Sequence, residues 1–171
     1  MEISTRLTDL ADMHPRLLWD QIGAATAAVL ADSLATSPFR LSLDLQDVPG
    51  FSSGSVWLTI DPAGISGDSI TRLRRTYEAP RLIELAAIGV AGLGLYNAGG
   101  HVMWDVALRG TGADYLIDET HHLLEVAGRS RRSDFATAWQ QRWERLEGRA
   151  GGYYLCVVEF ETPAGRLAFR G

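Results

Sequence analysis

The chain has 171 residues, of which 46% are apolar, with 16 arginines, no lysine and 21 acidic side chains, for a formal charge of -5. A chain of this length buries roughly 70% of the surface it would expose unfolded, so one domain is expected to fold without disulfide or structural metal, and the single Cys156 excludes an internal disulfide. The lack of lysine excludes Schiff-base chemistry and the P-loop lysine that reaches the β/γ-phosphates, and the net negative charge opposes strong non-specific nucleic-acid binding.

Charge is uneven. Residues 1 to 128 carry 8 Arg and 16 acids, a balance of -8, whereas residues 129 to 171 carry 8 Arg and 5 acids, a balance of +3. An anionic partner is therefore expected at the C-terminal segment, residues 129 to 171. Glu2 and Asp9 interrupt the apolar core that a signal peptide needs, and the weakly charged run Leu85 to Gly100 is shorter than the about 20 residues of a membrane span. A cytoplasmic protein with no membrane partner is expected.

In chain order, Leu17, Leu18, Ile22, Ala25, Val29 and Leu34 follow Pro15 near helical spacing and predict a helix over 15 to 34. Phe39, Leu41, Leu43 and Leu45 then alternate with polar residues, predicting a half-buried strand. After a turn at Val48-Pro49-Gly50, Ser55 to Ile60 reads as its hairpin partner, closed by Asp61 to Gly64. Asp68 or Ser69 can cap a short helix bearing Arg72, Arg74 and Arg75.

Pro80 opens a helix running from Arg81 to about Ala98, apolar on nearly all sides and therefore central. Its Gly89, Gly92 and Gly94 each cost about 1 kcal/mol relative to alanine, a loss that close packing against a neighbouring sheet or helix would offset. Strand-like runs follow at Val102 to Leu108, Asp114 to Ile117 and Leu123 to Ala127. Ser133-Asp134 is placed to cap a helix carrying Phe135, Trp139, Trp143 and Leu146, whose other face holds Arg142, Arg145 and Arg149 as the expected solvent side. Tyr153 to Phe160 and Arg166 to Phe169 are the last two strands, with Cys156 a buried strand residue.

No repeat, low-complexity tract or linker interrupts the chain, so residues 1 to 171 read as one domain. The expected class is α/β or α+β, a mixed central sheet flanked by helices. Residues 1 to 80 form an N-terminal helix and hairpin extension, and 81 to 171 form a core in the order helix, strand, strand, strand, helix, strand.

That order resembles the restriction-endonuclease-like fold family, whose motif is an Asp at the start of the second core strand and then Glu or Asp, any residue, and Lys on the third. The motif Asp matches Asp114 in Gly112-Ala113-Asp114-Tyr115, and the motif Glu matches Glu125 in Leu124-Glu125-Val126-Ala127. The motif Lys falls on Ala127, which cannot position or activate a nucleophile as the family's lysine does. The same two segments are similar to bacterial proteins of this kind. The resemblance implies Mg²⁺ held by Asp114 and Glu125, with Glu84 a further acid from the first core helix, and phosphodiester hydrolysis as the reaction.

Chemistry independently draws attention to these residues, because converging carboxylates make a hard-oxygen site for Mg²⁺. Arg129 keeps the face of Glu125 if the strand is regular, as does His121, which becomes the candidate base in place of lysine. Arg129, Arg131 and Arg132 precede a helix N-terminus, where arginine forks and backbone N–H groups can hold a phosphate or a nucleic acid.

Plainer readings stand beside each assignment. Asp114 can close a turn, Glu125 can be a paired strand-face acid, Glu84 a first-turn acid, His121 a turn residue, and Arg129 to Arg132 a solvated loop. Three functions follow: a degenerate nuclease-like core that acts as a nucleic-acid-associated or interaction module, an active Mg²⁺-dependent nuclease, or a structural homodimer joined through the exposed edge of the 39 to 60 hairpin.

Overall fold

The computed structural model describes all 171 residues. It is a mixed α/β fold built on one eight-stranded sheet, with strand order β1-β3-β2-β8-β7-β6-β5-β4. The strands are β1 (Glu2–Arg6), β2 (Phe39–Gln46), β3 (Gly54–Asp61), β4 (Met103–Val106), β5 (Tyr115–Ile117), β6 (His122–Arg129), β7 (Tyr153–Glu159) and β8 (Ala164–Arg170). The helices are α1 (Leu10–Met13), α2 (Asp20–Ser33), α3 (Gly67–Thr76), α4 (Ala79–Gly99) and α5 (Phe135–Leu146).

From α4 onward the elements come in the expected order. β4, β5 and β6 form an antiparallel meander, α5 crosses over, and β7 returns parallel to β6. The 39 to 60 hairpin does not stand apart as an appendage with an exposed edge. β3 is flanked by β1 and β2 by β8, so both sides of the hairpin are paired and the free edges of the sheet belong to β1 and β4.

Helix α4 is the axis of the core. Every residue from Leu85 to Leu95 is buried, because the helix lies between the sheet and α2. Two glycines make the close approach possible. A side chain at Gly89 would overlap Thr26 Oγ1 on α2, and one at Gly94 would run into Leu43 of β2. Gly100 then ends the helix in the left-handed conformation at φ 70°, which glycine adopts without penalty. By length and hydropathy α4 is also apolar enough to cross a membrane, a property that it shares with core helices of this kind.

On the opposite face, α5 covers β6, β7 and β8. Ala138, Trp139 and Leu146 pack there on Ala127, Tyr153, Leu155, Val157 and Ala168. Trp139 and Trp143 stack at 5.4 Å between centroids, with Arg166 over the first ring and Arg170 over the second. Cys156 is fully buried toward α4, and burial pushes its thiol up to about 12.

Several local expectations are corrected. The predicted 15 to 34 helix begins only at Asp20, because the His14 carbonyl accepts Trp19 Nε1–H at 2.9 Å and the Leu17 N–H at 3.3 Å, folding residues 14 to 19 into a turn. Helix α3 is capped by Ser66, whose Oγ accepts the Ser69 N–H at 3.1 Å, and not by Asp68 or Ser69. A 3-10 turn over Arg132–Asp134 leads into α5, with Asp134 at the N-cap position but making no side-chain cap hydrogen bond.

Candidate functional site

The pairing of β5 with β6 matches Tyr115 to Leu124, so Asp114 sits one step outside the ladder, across from Glu125. Its backbone holds the strand start in place: the Asp114 N–H donates to the Leu124 carbonyl at 2.8 Å, and its carbonyl accepts the Ala107 N–H at 3.0 Å. The carboxylate does not close its own turn. Asp114 Oδ2 accepts the Val126 N–H at 2.7 Å, while the preceding turn is closed by Thr111, which bonds Leu108 and Ala113. Burial pushes the Asp114 carboxyl above the usual range, and the nearby charge of Glu84 adds to the rise; the Val126 N–H, Arg142 and Arg81 oppose it.

Glu125 points toward α5 and is only 8% exposed. Arg145 Nη2 donates to Glu125 Oε1, and Arg142 Nε lies 3.1 Å from the same oxygen. Burial raises this carboxyl as well. Arg145 and Arg142 draw it back and the charge of Asp114 adds to the rise, so the two acids feel each other.

Arg142 is the residue that periodicity places wrongly, whereas Arg145 stays exposed as expected and reaches Glu125 from the rim. Arg142 follows the buried Ala138 by four positions and Trp139 by three, which brings it over the sheet and not into solvent; the same spacing was the signal available in the sequence. Its Nη1 also donates to the Ala138 carbonyl at 3.2 Å. Burial and the charges of Arg129 and Arg145 lower Arg142, and Glu125 and Asp114 counter them.

Glu84 lies one turn inside α4, past its first turn, and its charge reaches Asp114 although Arg81 Nη1 donates to its Oε2 at 3.0 Å. Beside it, a cleft of about 260 Å³ is lined by Ala79, Pro80, Ile83, Glu84, Gly128, Arg129 and Ser130. Arg129 ends β6 on the face of Glu125 and is half-buried, with Nη1 donating to the Gly128 carbonyl. Arg131 and Arg132 are exposed in the next turn; none of the three guanidinium groups is in an ion pair, although the Arg132 backbone N–H donates to Glu161 Oε2 at 2.9 Å. Ala127, at the motif lysine position, is 4% exposed and packed against α5.

His121 is not on the strand. It is an exposed turn residue at φ 54°, and β6 starts at His122, whose ring packs on Tyr154 and Phe169 on the α4 side. A base acting beside Glu125 therefore cannot come from His121 in this arrangement.

As placed, the acids do not make a hard-oxygen cage. Glu125 Oε1 faces two guanidinium groups, Asp114 Oδ2 is engaged by a backbone N–H, and Glu84 is paired with Arg81; the three do not converge as a group of metal-ligating side chains. What the arrangement offers chemically is one buried carboxylate hydrogen-bonded by Arg145, with the Arg142 guanidinium beside it as an ion-pair partner. No protein-family model, curated protein or solved structure matches this chain.

Proposed function

We propose that this protein is a cytoplasmic bacterial module with a nuclease-like core that has lost hydrolysis and associates with nucleic acid through the arginines around Arg129. Support for the nuclease-like part is the run of helix, three-stranded antiparallel meander, helix and a strand parallel to the meander's last strand, with Asp114 and Glu125 opposite each other across β5 and β6.

The observation that carries the reading is the occupation of Glu125. Two guanidinium groups supply the positive charge at the place where a catalytic acid would need a cation, while Ala127 fills the lysine position with a core methyl. The residues thus do not fit Mg²⁺. The guanidinium groups of Arg129, near Arg142, and of Arg131 and Arg132 in the turn that follows are in no ion pair; they lie in the positively charged last quarter of the chain, and arginine forks suit phosphate oxygens. With a total charge of -5 the contact is local and salt-sensitive.

Fluorescence anisotropy with labelled single-stranded and double-stranded oligonucleotides at low salt tests this. Expected is binding that weakens with salt, with the salt slope reduced by about one for each of Arg131→Gln and Arg132→Gln, and no cleavage when Mg²⁺ is added. Absence of binding sinks the reading. Mg²⁺-dependent cleavage abolished by Asp114→Asn and by Glu125→Gln would replace it with the active nuclease.

A further inference from the structure

The two outer edges of the sheet differ in how they end. At β4, His14 Nδ1 accepts the Met103 N–H at 3.0 Å, Arg16 Nε donates to the Trp104 carbonyl at 3.0 Å, and Asp105 Oδ1 accepts the Val106 N–H at 2.8 Å. Side chains that occupy edge groups in this way keep another strand from pairing there. β1 is built otherwise. The Trp57 N–H donates to the Met1 carbonyl, and Glu2 is in register with Trp57, so Met1, Ile3 and Thr5 bond β3 in the parallel pattern. The N–H and C=O of Glu2 and Ser4 then point outward from the last strand of the sheet, and the Arg6 N–H is held only by a long 3.3 Å bond to Asp9.

The side chains of that strand carry a second pattern. Glu2-Ile3-Ser4-Thr5-Arg6 has opposite charges at equal distances from Ser4, and Glu2, Ser4 and Arg6 are all exposed on one face. An antiparallel copy turned about Ser4 places each Glu2 opposite the Arg6 of the other strand, and puts the outward N–H and C=O of Ser4 across from the same groups of the second Ser4. Opposite charges in directly facing positions stabilise such pairs, and like charges there destabilise them. In the single chain Glu2 leans inboard, accepting the Thr59 hydroxyl of β3 at 2.7 Å and lying 3.8 Å from Arg40 of β2, and the exposed carboxylate turns to the Arg6 of the second strand on pairing.

We propose that two copies of this chain associate by antiparallel pairing of their β1 strands about a two-fold axis at Ser4, making one continuous sheet through both. The occupant is a second copy and not another protein because the edge is complementary to itself in this register. The pairing lies at the opposite end of the sheet from Arg129 and stands independently of nucleic-acid binding.

Sedimentation of the full chain from micromolar to millimolar concentration tests the proposal. The mass is expected to rise from 18.7 kDa toward twice that value. Ser4→Pro removes the central N–H, which faces away from β3, and is expected to keep the protein monomeric with its melting curve preserved. Glu2→Arg brings like charges together at both ends and should weaken association by about tenfold, and the double change Glu2→Arg with Arg6→Glu should restore it. A monomer at every concentration overturns the proposal. So does a dimer that Ser4→Pro leaves intact, or a Glu2→Arg loss that the exchanged pair does not repair.

Discussion

The two halves of the sheet meet water differently, and their sequences show it. In β1, β3 and β2 one face lies on the helices and the other is open: Phe39, Leu41, Leu43 and Leu45 are buried while Arg40 and Gln46 between and beyond them are exposed. In β7, with α4 on one side and α5 on the other, all seven residues are buried, as expected of a strand covered on both faces. Polar groups follow the same division. On the open half they sit in solvent-exposed cross-strand contacts, Arg40 to Glu2 at 3.8 Å, Ser55 to Asp44 at 3.4 Å and Thr59 to Glu2 at 2.7 Å. On the covered half each buried acid is held: Glu125 by two arginines, and Glu159 by the backbone N–H groups of Glu161 and Thr162 and the Thr162 hydroxyl.

Sequence changes should therefore cost very different amounts on the two sides. The largest effect is expected at the α2 and α4 crossing, where Gly89→Leu drives a side chain into Thr26, whose hydroxyl donates to the Ile22 carbonyl at 2.8 Å. A loss of about 3 kcal/mol or more is expected from urea denaturation. Ser55→Val on the open face should stay within about 0.5 kcal/mol. Equal costs at the two positions would break the distinction.

His14 gives the next largest effect, through pH. It is fully buried, its Nε2–H donates to the Gly92 carbonyl and its Nδ1 accepts the Met103 N–H, so the neutral ring is the one the fold holds. Burial lowers its pKa from 6.5 to about 4, against the raising effects of the Gly92 carbonyl and Asp118. The unfolded chain then binds the proton first. Stability from this group is complete above pH 6.5 and falls as the pH drops toward 4, by about 3 kcal/mol. Denaturation at pH 7 and at pH 4.5 measures it, and His14→Gln should flatten that part of the dependence.

Arg142→Met should cost less, about 2 kcal/mol at neutral pH, because it leaves Glu125 buried with only the half-exposed Arg145. The loss has a pH signature. Without Arg142 the Glu125 carboxyl rises further above its ordinary range, so the ionised form is disfavoured in the folded protein. The variant keeps its stability in acid, where the carboxyl is protonated, and loses it as the pH rises through the raised folded pKa. Adding Glu125→Gln to Arg142→Met should recover most of the loss; a double-mutant cycle with no coupling would show that the pair does not act together.

The same division explains what the sequence could disclose. The central helix was legible because α4 is apolar all round and its glycines have no purpose except close approach, which Gly89 and Gly94 bear out against Thr26 and Leu43. The β2 and β3 hairpin was legible from strict alternation. β1 was not, because Ile3 is its only large apolar residue and its place comes from parallel pairing with β3, more than fifty positions away. That Asp114 and Glu125 lie together followed from the meander, whose register sets them opposite each other. Arg142 reads as solvent-facing because charge on a helix is normally solvated, and only a buried acid on the neighbouring strand draws it inward, while Arg145 keeps the exposure expected of it.

The smallest expected effect lies on the open face. The Arg40 guanidinium stacks 4.4 Å from the centroid of Trp57 and reaches Glu2 at 3.8 Å, with both ionic partners more than half exposed. In water such a pair contributes little, since salt screens it and two long side chains lose freedom, so Arg40→Ala should lower stability by about 0.5 kcal/mol. The loss should shrink further in high salt as the ionic part disappears, leaving the stacking on Trp57. A cost as large as that of Arg142→Met would mean that the face is covered in solution, and since Glu2 lies in the proposed β1 pairing, concentration dependence of that cost would identify a second copy as the cover.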